Sequence, residues 1–350
     1  MTRWFLLVVA MLVAATVSGQ SYPSRPIRLI VPFPPGGGFD GIARPFAEKL
    51  STLLGQNLVV ENRAGAAGNV GADVAARSTA DGYTLLFAND FLATNPPMLK
   101  STSYDPVKDF VPITKVGTVA TALATHPSVP ASNLKELMAL SKTKPLNYGT
   151  PGVGSVPHLV GEMMNLEGVM RLVHVPYKGS GPAITDAIGG QIDVVITTLS
   201  SLAPQIRAGR LRGIGVIGPN RANFMPELPT FSEAGGPPLN ADIWYGLFAP
   251  AGTPEPALRR VHEVAVQALA QPDLVERLRK AGYEPASSTP EALGTLVKND
   301  LEKYTERVKQ NGGRFHRELK GGGGVDFERK FRDPNGVVFD LSHQGWVGIK

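Results

Sequence analysis

The chain has 350 residues, 43% hydrophobic and 19% charged, the balance of a folded protein with room for two domains. Its net charge of +5 is spread out, with no basic block and no aromatic-basic interleaving, which excludes a nucleic-acid binder and leaves a mild bias toward small anions. Cysteine is absent, which excludes disulfides and thiolate chemistry, and the six histidines are scattered, so structural or surface roles are expected for them rather than metal ligation.

Arg3, the apolar run Trp4 to Ala15 and the small, polar exit Ser18-Gly19-Gln20 read as a secretory signal peptide over residues 1–20. The apolar core is too short to span a bilayer, so the mature protein is expected outside the cytoplasm. Leu29 to Val31 then reads as a buried strand, stopped by Pro32, Pro34 and Pro35, which cannot donate to a ladder. Gly36, Gly37 and Gly38 follow, and Ile42, Phe46, Leu50 and Leu53 mark one face of a helix. Pro45 inside that helix is expected to kink or shorten it. Strand, glycine turn and helix start together point free N–H groups at whatever lies over the turn, which favours an anion.

Three readings compete for this turn. A phosphate loop fails because Ile42 stands where lysine belongs. A dinucleotide fingerprint fits through Gly36, Gly38 and Gly41, with Glu61 at the end of the next strand as the ribose partner, although Pro34-Pro35 lengthens the turn. A small-anion turn and a purely structural turn remain beside it. Export from the cytoplasm weakens the dinucleotide reading, since dissolved NAD is scarce there. Gly37 is the position where a side chain is expected to crowd the turn.

Asn57 to Val60 gives a second strand, followed by the glycine-rich Arg63–Gly71 turn and an alanine-rich helix to Ala76. Tyr83 to Phe87 gives a third strand ending at Asn89-Asp90-Phe91. Tyr104 and Lys108 have the spacing of a short-chain dehydrogenase pair, but Pro106 between them breaks the helix that pair requires. An extended piece from Thr121 to Pro130 suits a change of domain. Leu146 to Tyr148 then forms a strand, Gly149 to Ser155 a turn, and a helix carries Leu159, Met163 and Leu166 on one face, with Ser155 as its cap. Further strand-helix units follow: Val173–Val175 into Lys178-Gly179-Ser180-Gly181, Ile192–Ile196 into Thr197, and Leu211–Ile217. Trp244 to Ala249 reads as a strand returning to the first sheet, followed by helices starting at Thr253-Pro254-Glu255 and Thr289-Pro290-Glu291. Alternating strands and helices argue for mostly parallel sheets with ligands beyond the carboxyl ends of the strands. Two lobes, each with a glycine turn feeding a helix start, describe a hinged clamp for an acid with two carboxylates, or with one carboxylate and another polar group.

Tyr22 to Gly38, Val60 to Gly68, Leu146 to Ser155, Pro176 to Gly179, Gly189 to Asp193 and Ala249 to Pro254 resemble the Bug (TctC-like) family of tripartite tricarboxylate transporter substrate-binding proteins, from about residue 22 to about 312. The resemblance implies an α/β, two-lobed periplasmic-binding-protein fold (type II), each lobe a mostly parallel sheet flanked by helices. Lobe 1 would span 22–123 plus 226–312 and lobe 2 would span 124–225. It also implies capture of a small organic carboxylate without chemistry or a cofactor, and delivery to the membrane permease subunits of a tripartite transporter by a monomer. The implied ligand residues are Pro35, Gly36, Gly37, Gly38, Phe39 and Asp40 in the first turn and Thr150, Pro151, Gly152, Gly154 and Ser155 in the second. Asn89, Asp90, Phe91, Lys178, Gly179 and Thr197 stand near them. The alternatives are an NAD(P)-dependent oxidoreductase using Gly36, Gly38 and Gly41, and a ligand-sensing adaptor for a membrane signalling protein. Residues 313–350, with a Gly321–Gly324 linker and Asp340 as the one carboxylate near a ligand position, resemble the end of a glyoxalase-like vicinal-oxygen-chelate domain. They are expected to be a remnant without activity.

Overall fold

The computed structural model describes residues 22–99 and 102–310, with four short strands beyond them. The signal segment and the Gly321–Gly324 linker lie outside the described residues. The first sheet opens with β1 (Ile27–Val31), α1 (Gly38–Leu54), β2 (Leu58–Asn62), α2 (Asn69–Ala76), β3 (Thr84–Asn89), α3 (Phe91–Met98) and β4 (Phe110–Val119). The second sheet follows through β5 (Thr121–Thr125), α4 (Leu134–Thr143), β6 (Leu146–Thr150), α5 (Val156–Leu166), β7 (Leu172–Pro176), α6 (Ser180–Ile188), β8 (Val194–Thr198), α7 (Leu199–Arg207) and β9 (Arg212–Val216). The chain then returns to the first sheet as β10 (Ile243–Pro250), α8 (Glu255–Leu269), α9 (Pro272–Lys280), the two-residue β11 (Glu284–Pro285) and α10 (Pro290–Gln310).

Strand order is β11-β4-β10-β3-β1-β2 in the first sheet and β7-β6-β8-β5-β9 in the second. Each sheet is mixed. In the first, β10 runs antiparallel to both β3 and β4, and in the second β5 runs antiparallel to both β8 and β9. Every residue of β3, β5, β8 and β10 is buried. That is why these strands read as continuous apolar runs: helices cover both faces and no solvent face calls for alternation.

The two sheets are joined where the chain crosses between them. Val119 ends β4 and Thr121 begins β5, with only Ala120 between them. On the return, Ile217 donates its N–H to the Thr121 carbonyl at 2.8 Å, and Ala241 donates to the Ile217 carbonyl at 3.0 Å. The fully buried Thr121 hydroxyl donates to the Ala241 carbonyl at 2.6 Å. The two crossings thus satisfy one another's backbone groups where the β5–β9 pairing runs out.

Two local expectations change. α1 runs unbroken through Pro45 for 17 residues, because Ile42 and Phe46 on either side are fully buried and their packing outweighs one missing helix bond. In α5 the buried face is Val156, Val160 and Met164, with Gly161 against the second sheet, whereas Leu166 is exposed and Leu159 and Met163 are only partly covered. The short apolar stretch fits either stripe, and contact with β6 decides between them.

Beyond α10, Arg314–His316 pairs antiparallel with Asp326–Glu328, and Lys330–Arg332 with Val338–Asp340. Neither pair joins a lobe sheet.

Candidate functional site

The carboxyl ends of β1, β3, β6, β7 and β8 converge on a partly open cleft between the sheets. Phe33, Pro34, Pro35, Gly37, Gly38, Phe39, Asn89, Asp90 and Phe91 line it from the first sheet. Pro151, Ser155, Gly179, Ser180 and Thr198 line it from the second. β10 runs the other way, so it contributes residues near its amino end, Ile243 and Tyr245.

The helix starts at this cleft are not all alike: α5 is capped as expected by Ser155, whose Oγ accepts the His158 N–H at 3.4 Å, whereas α1, α6 and α7 are not. At α4, away from the cleft, Asn133 also caps its helix by accepting the Glu136 N–H at 3.0 Å, and Glu136 reaches back to accept the Ser132 N–H at 2.7 Å. α1 starts after Gly37 and α6 after Gly179, neither with a side-chain cap, and Thr198 gives none to α7. Uncapped first-turn N–H groups at α1 and α6 therefore face shared space from opposite sides.

Asp40 belongs to the turn rather than to the cleft. Its Oδ2 accepts the Gly36 N–H at 3.1 Å and Arg44 Nε at 2.7 Å, while Oδ1 accepts Asn62 Nδ2 at 3.3 Å. Burial alone would push its pKa up; Arg44, the Gly36 amide and Asn62 outweigh that and hold it below the ordinary carboxylate value. Gly36 needs its φ of +80°, and its N–H is already spent on Asp40. A side chain at Gly37 would meet only the Pro34 carbonyl at 3.8 Å, so that position is not crowded; the close approach is at Gly38, where a Cβ would lie 2.7 Å from Thr198 Oγ1 of the opposite lobe.

The second turn is held from below by two histidines. His158 Nδ1 accepts the Gly154 N–H at 3.2 Å, and His174 Nε2 lies 2.7 Å from Thr150 Oγ1. The two rings are 4.1 Å apart, and burial lowers the His174 pKa from 6.5 to about 4. Because the folded value lies below the unfolded one, His174 costs no stability above pH 6.5 and an increasing amount as pH falls from 6.5 toward 4. The loss should reach ~3 kcal/mol. Urea unfolding at pH 7 and pH 4.5 should show it, and His174→Gln should lose less over the same interval; an equal loss in the variant would remove His174 as the cause.

Lobe-to-lobe contact continues beside this turn. Thr94 Oγ1 donates across to the Gly154 carbonyl at 3.1 Å, while within the first lobe Asn95 Nδ2 donates to Ala67 O at 2.9 Å and to Asn69 Oδ1 at 2.8 Å. Ala67 lines the cleft from a turn in which Ala66 and Ala67 hold φ of 45° and 54°. That conformation costs an L-residue roughly 1–2 kcal/mol.

An aromatic wall backs the first-lobe side. Phe33 stacks on Phe39 with centroids 4.5 Å apart, and Tyr245 meets Phe39 edge-on at 5.0 Å. Asp90 is 4% exposed and its Oδ2 has no hydrogen-bond partner among the described residues. Among the described lining residues there is no lysine, arginine or histidine.

Of the residues expected from sequence, Pro35, Gly37, Gly38, Phe39, Asn89, Asp90, Phe91, Pro151, Ser155 and Gly179 line the cleft. Gly36, Asp40, Thr150, Gly152, Gly154, Lys178 and Thr197 do not. Lys178 is exposed, and Thr197 is buried with its hydroxyl 2.7 Å from that of Ser180. Thr198, Tyr245, Ile243, Phe33 and Ala67 were not anticipated. Thr198 could have been found as the strand-to-helix junction one residue on from Thr197; Tyr245 carries no local signal.

Among the described residues no group of three or more metal-ligating side chains is placed to hold an ion. A family model described as TctC, tripartite tricarboxylate transporter family receptor, matches residues 42–312. The chain is 35% identical over 307 residues to protein BugT of Bordetella pertussis, covering 87% of this chain and 94% of that one. Among solved structures it is similar to a periplasmic transporter, with a TM-score of 0.80 and 42% identity over 83% of this chain and 99% of that one. It is also similar to Rpa4515 of R. palustris with adipate, with a TM-score of 0.79 and 31% identity over 82% and 97% of the two chains. Two mixed α/β sheets around a cleft that two uncapped helix starts face from opposite sides, and a family match over most of the chain, lead to one statement: the chain belongs to the TctC family of tripartite tricarboxylate transporter receptors.

Proposed function

We propose that the protein captures a small organic carboxylate in the periplasm by closing its two lobes on it, and hands it to the membrane permease subunits of a tripartite transporter. The observation that carries this reading is the pair of uncapped helix starts, α1 and α6, opposed across one cleft. Each offers an anion backbone donors and roughly 0.3–1 kcal/mol of dipole attraction at an exposed site, more when partly buried. The ligand lies between Gly37–Phe39 on one side and Ser155, Gly179 and Ser180 on the other, with the aromatic wall along its carbon chain. The lobes hinge at the crossings around Thr121 and Ile217–Ala241. Residues 313–350 take no part in capture.

Adipate, the ligand named with Rpa4515, is the first probe. In a thermal-shift panel of di-, tri- and aromatic carboxylates, at least one acid present at 100 times its Kd should stabilise the protein by about 2.7 kcal/mol. Stabilisation by NAD alone would favour the oxidoreductase reading instead, and capture of a membrane signalling protein with no solute hit would favour an adaptor.

A further inference from the structure

Among the described residues Asp90 is the one carboxylate in the cleft lining, and the capture mechanism above gives it no task. It is 4% exposed, sits at the junction of β3 and α3, and leaves Oδ2 without a partner. The charged and titratable groups around it are few. From α10 come Asp300, which is negative, and Lys303, which offsets only part of the effect; from β10 comes the buried phenol of Tyr245. The second lobe contributes Ser155, Ser180 and Thr198, all uncharged. Burial first, and Asp300 second, push the Asp90 pKa well above the ordinary carboxylate value.

A buried acid with a free oxygen can serve a ligand in two ways. Ionised, it would pair with an ammonium group. Such a group would then sit among the uncapped starts of α1 and α6, whose positive ends repel a cation. Neutral, it holds a proton with no acceptor in the protein, and an acid group of the ligand supplies one. We propose that Asp90 acts as a neutral carboxylic acid that donates its proton in a hydrogen bond to the second acid group of a dicarboxylate, selecting dicarboxylates over monocarboxylates of equal length. The inference rests on the carboxylate reading of the cleft and adds to it the class of acid. A hydrogen bond to a charged group, made where water is excluded, is strong enough to set that preference.

The test is calorimetric titration of the full chain at pH 7 with adipate and with hexanoate, its monocarboxylate counterpart. It is joined to infrared difference spectra recorded with and without adipate. Wild type should prefer adipate. Asp90→Leu, which removes the donor, should weaken adipate binding roughly 10- to 100-fold and reverse the preference for adipate over hexanoate. Asp90→Asn, whose amide can still donate, should recover most of that loss. The infrared spectrum should contain a protonated-carboxyl band that adipate shifts and that Asp90→Asn lacks. Undiminished adipate binding in Asp90→Leu, preference for hexanoate in wild type, or a spectrum without that band would each overturn the inference while leaving carboxylate capture intact. Failure of every acid to bind wild type would overturn the capture reading itself, and this inference with it. Should Asp90→Leu not fold, Asp90→Asn and the infrared band decide the matter.

Discussion

Gly38→Ala is expected to weaken ligand binding by roughly 10- to 100-fold without lowering the melting temperature of the ligand-free protein. Gly38 is the first residue of α1, where alanine is a better helix former than glycine, so lobe 1 itself has no reason to suffer. The obstacle lies across the cleft. The added Cβ would stand 2.7 Å from Thr198 Oγ1 and 3.1 Å from Ser201 Oγ. Those two hydroxyls are 2.9 Å from each other, and Ser200 also donates to Thr198, so neither can swing aside without losing a bond. The strain appears only when the lobes meet, and overpacking of this kind costs about 1–3 kcal/mol, which the ligand must then offset. Calorimetric titration with adipate gives the affinity, and X-ray scattering should show a ligand-bound variant more open than wild type. Equal affinity and equal compaction would mean that α1 and α7 do not meet in the bound state.

Gly161→Ala should act in the opposite way, by destabilising lobe 2 without touching the ligand. The new Cβ would fall 2.3 Å from Tyr148 Cε2 and within 2.6 Å of the phenol oxygen. Tyr148 is fully buried, its ring lies 4.9 Å from that of His174, and its hydroxyl donates to Glu162 at 2.7 Å. The ring has nowhere to go, so α5 must lift from β6. The expected loss is ~3 kcal/mol, at the upper end for one inserted carbon. That corresponds to a melting temperature lower by about 6–12 °C. Thermal unfolding measures it directly, and an unchanged melting temperature would show that α5 can shift freely on the sheet.

The parts of this fold that could be read from sequence share a local cause. A buried strand, a run of prolines and glycines and an amphipathic helix occupy adjacent residues at Leu29–Leu53 and again at Leu146–Leu166, so composition alone marks the turn. α3 was hidden because its last turn contains Pro96 and Pro97, residues that argue against a helix unless its start is already fixed. β4 was hidden because its pairing with β10 shifts register twice and contains Pro112, which blurs any two-residue period. α9 is short and mostly charged, with only Leu274 and Leu278 buried. For the cleft, sequence spacing located the turns but not which way their atoms point. Asp40 follows the glycines directly, yet its carboxylate turns back to Gly36 and Arg44. Tyr245 and Ile243 reach the cleft only because a distant strand is inserted beside β3, an event of topology that no local pattern encodes.

That insertion also governs the order in which the molecule can be assembled. β10 lies between β3 and β4 and hydrogen-bonds to both, so the two early strands have no ladder to each other. A chain emerging from its amino end holds β1 to β4 long before it holds β10, whereas all five strands of the other sheet are supplied in one uninterrupted stretch. The later-encoded lobe is therefore the first able to complete its sheet, and the lobe begun first must wait, its central gap open, until the chain comes back.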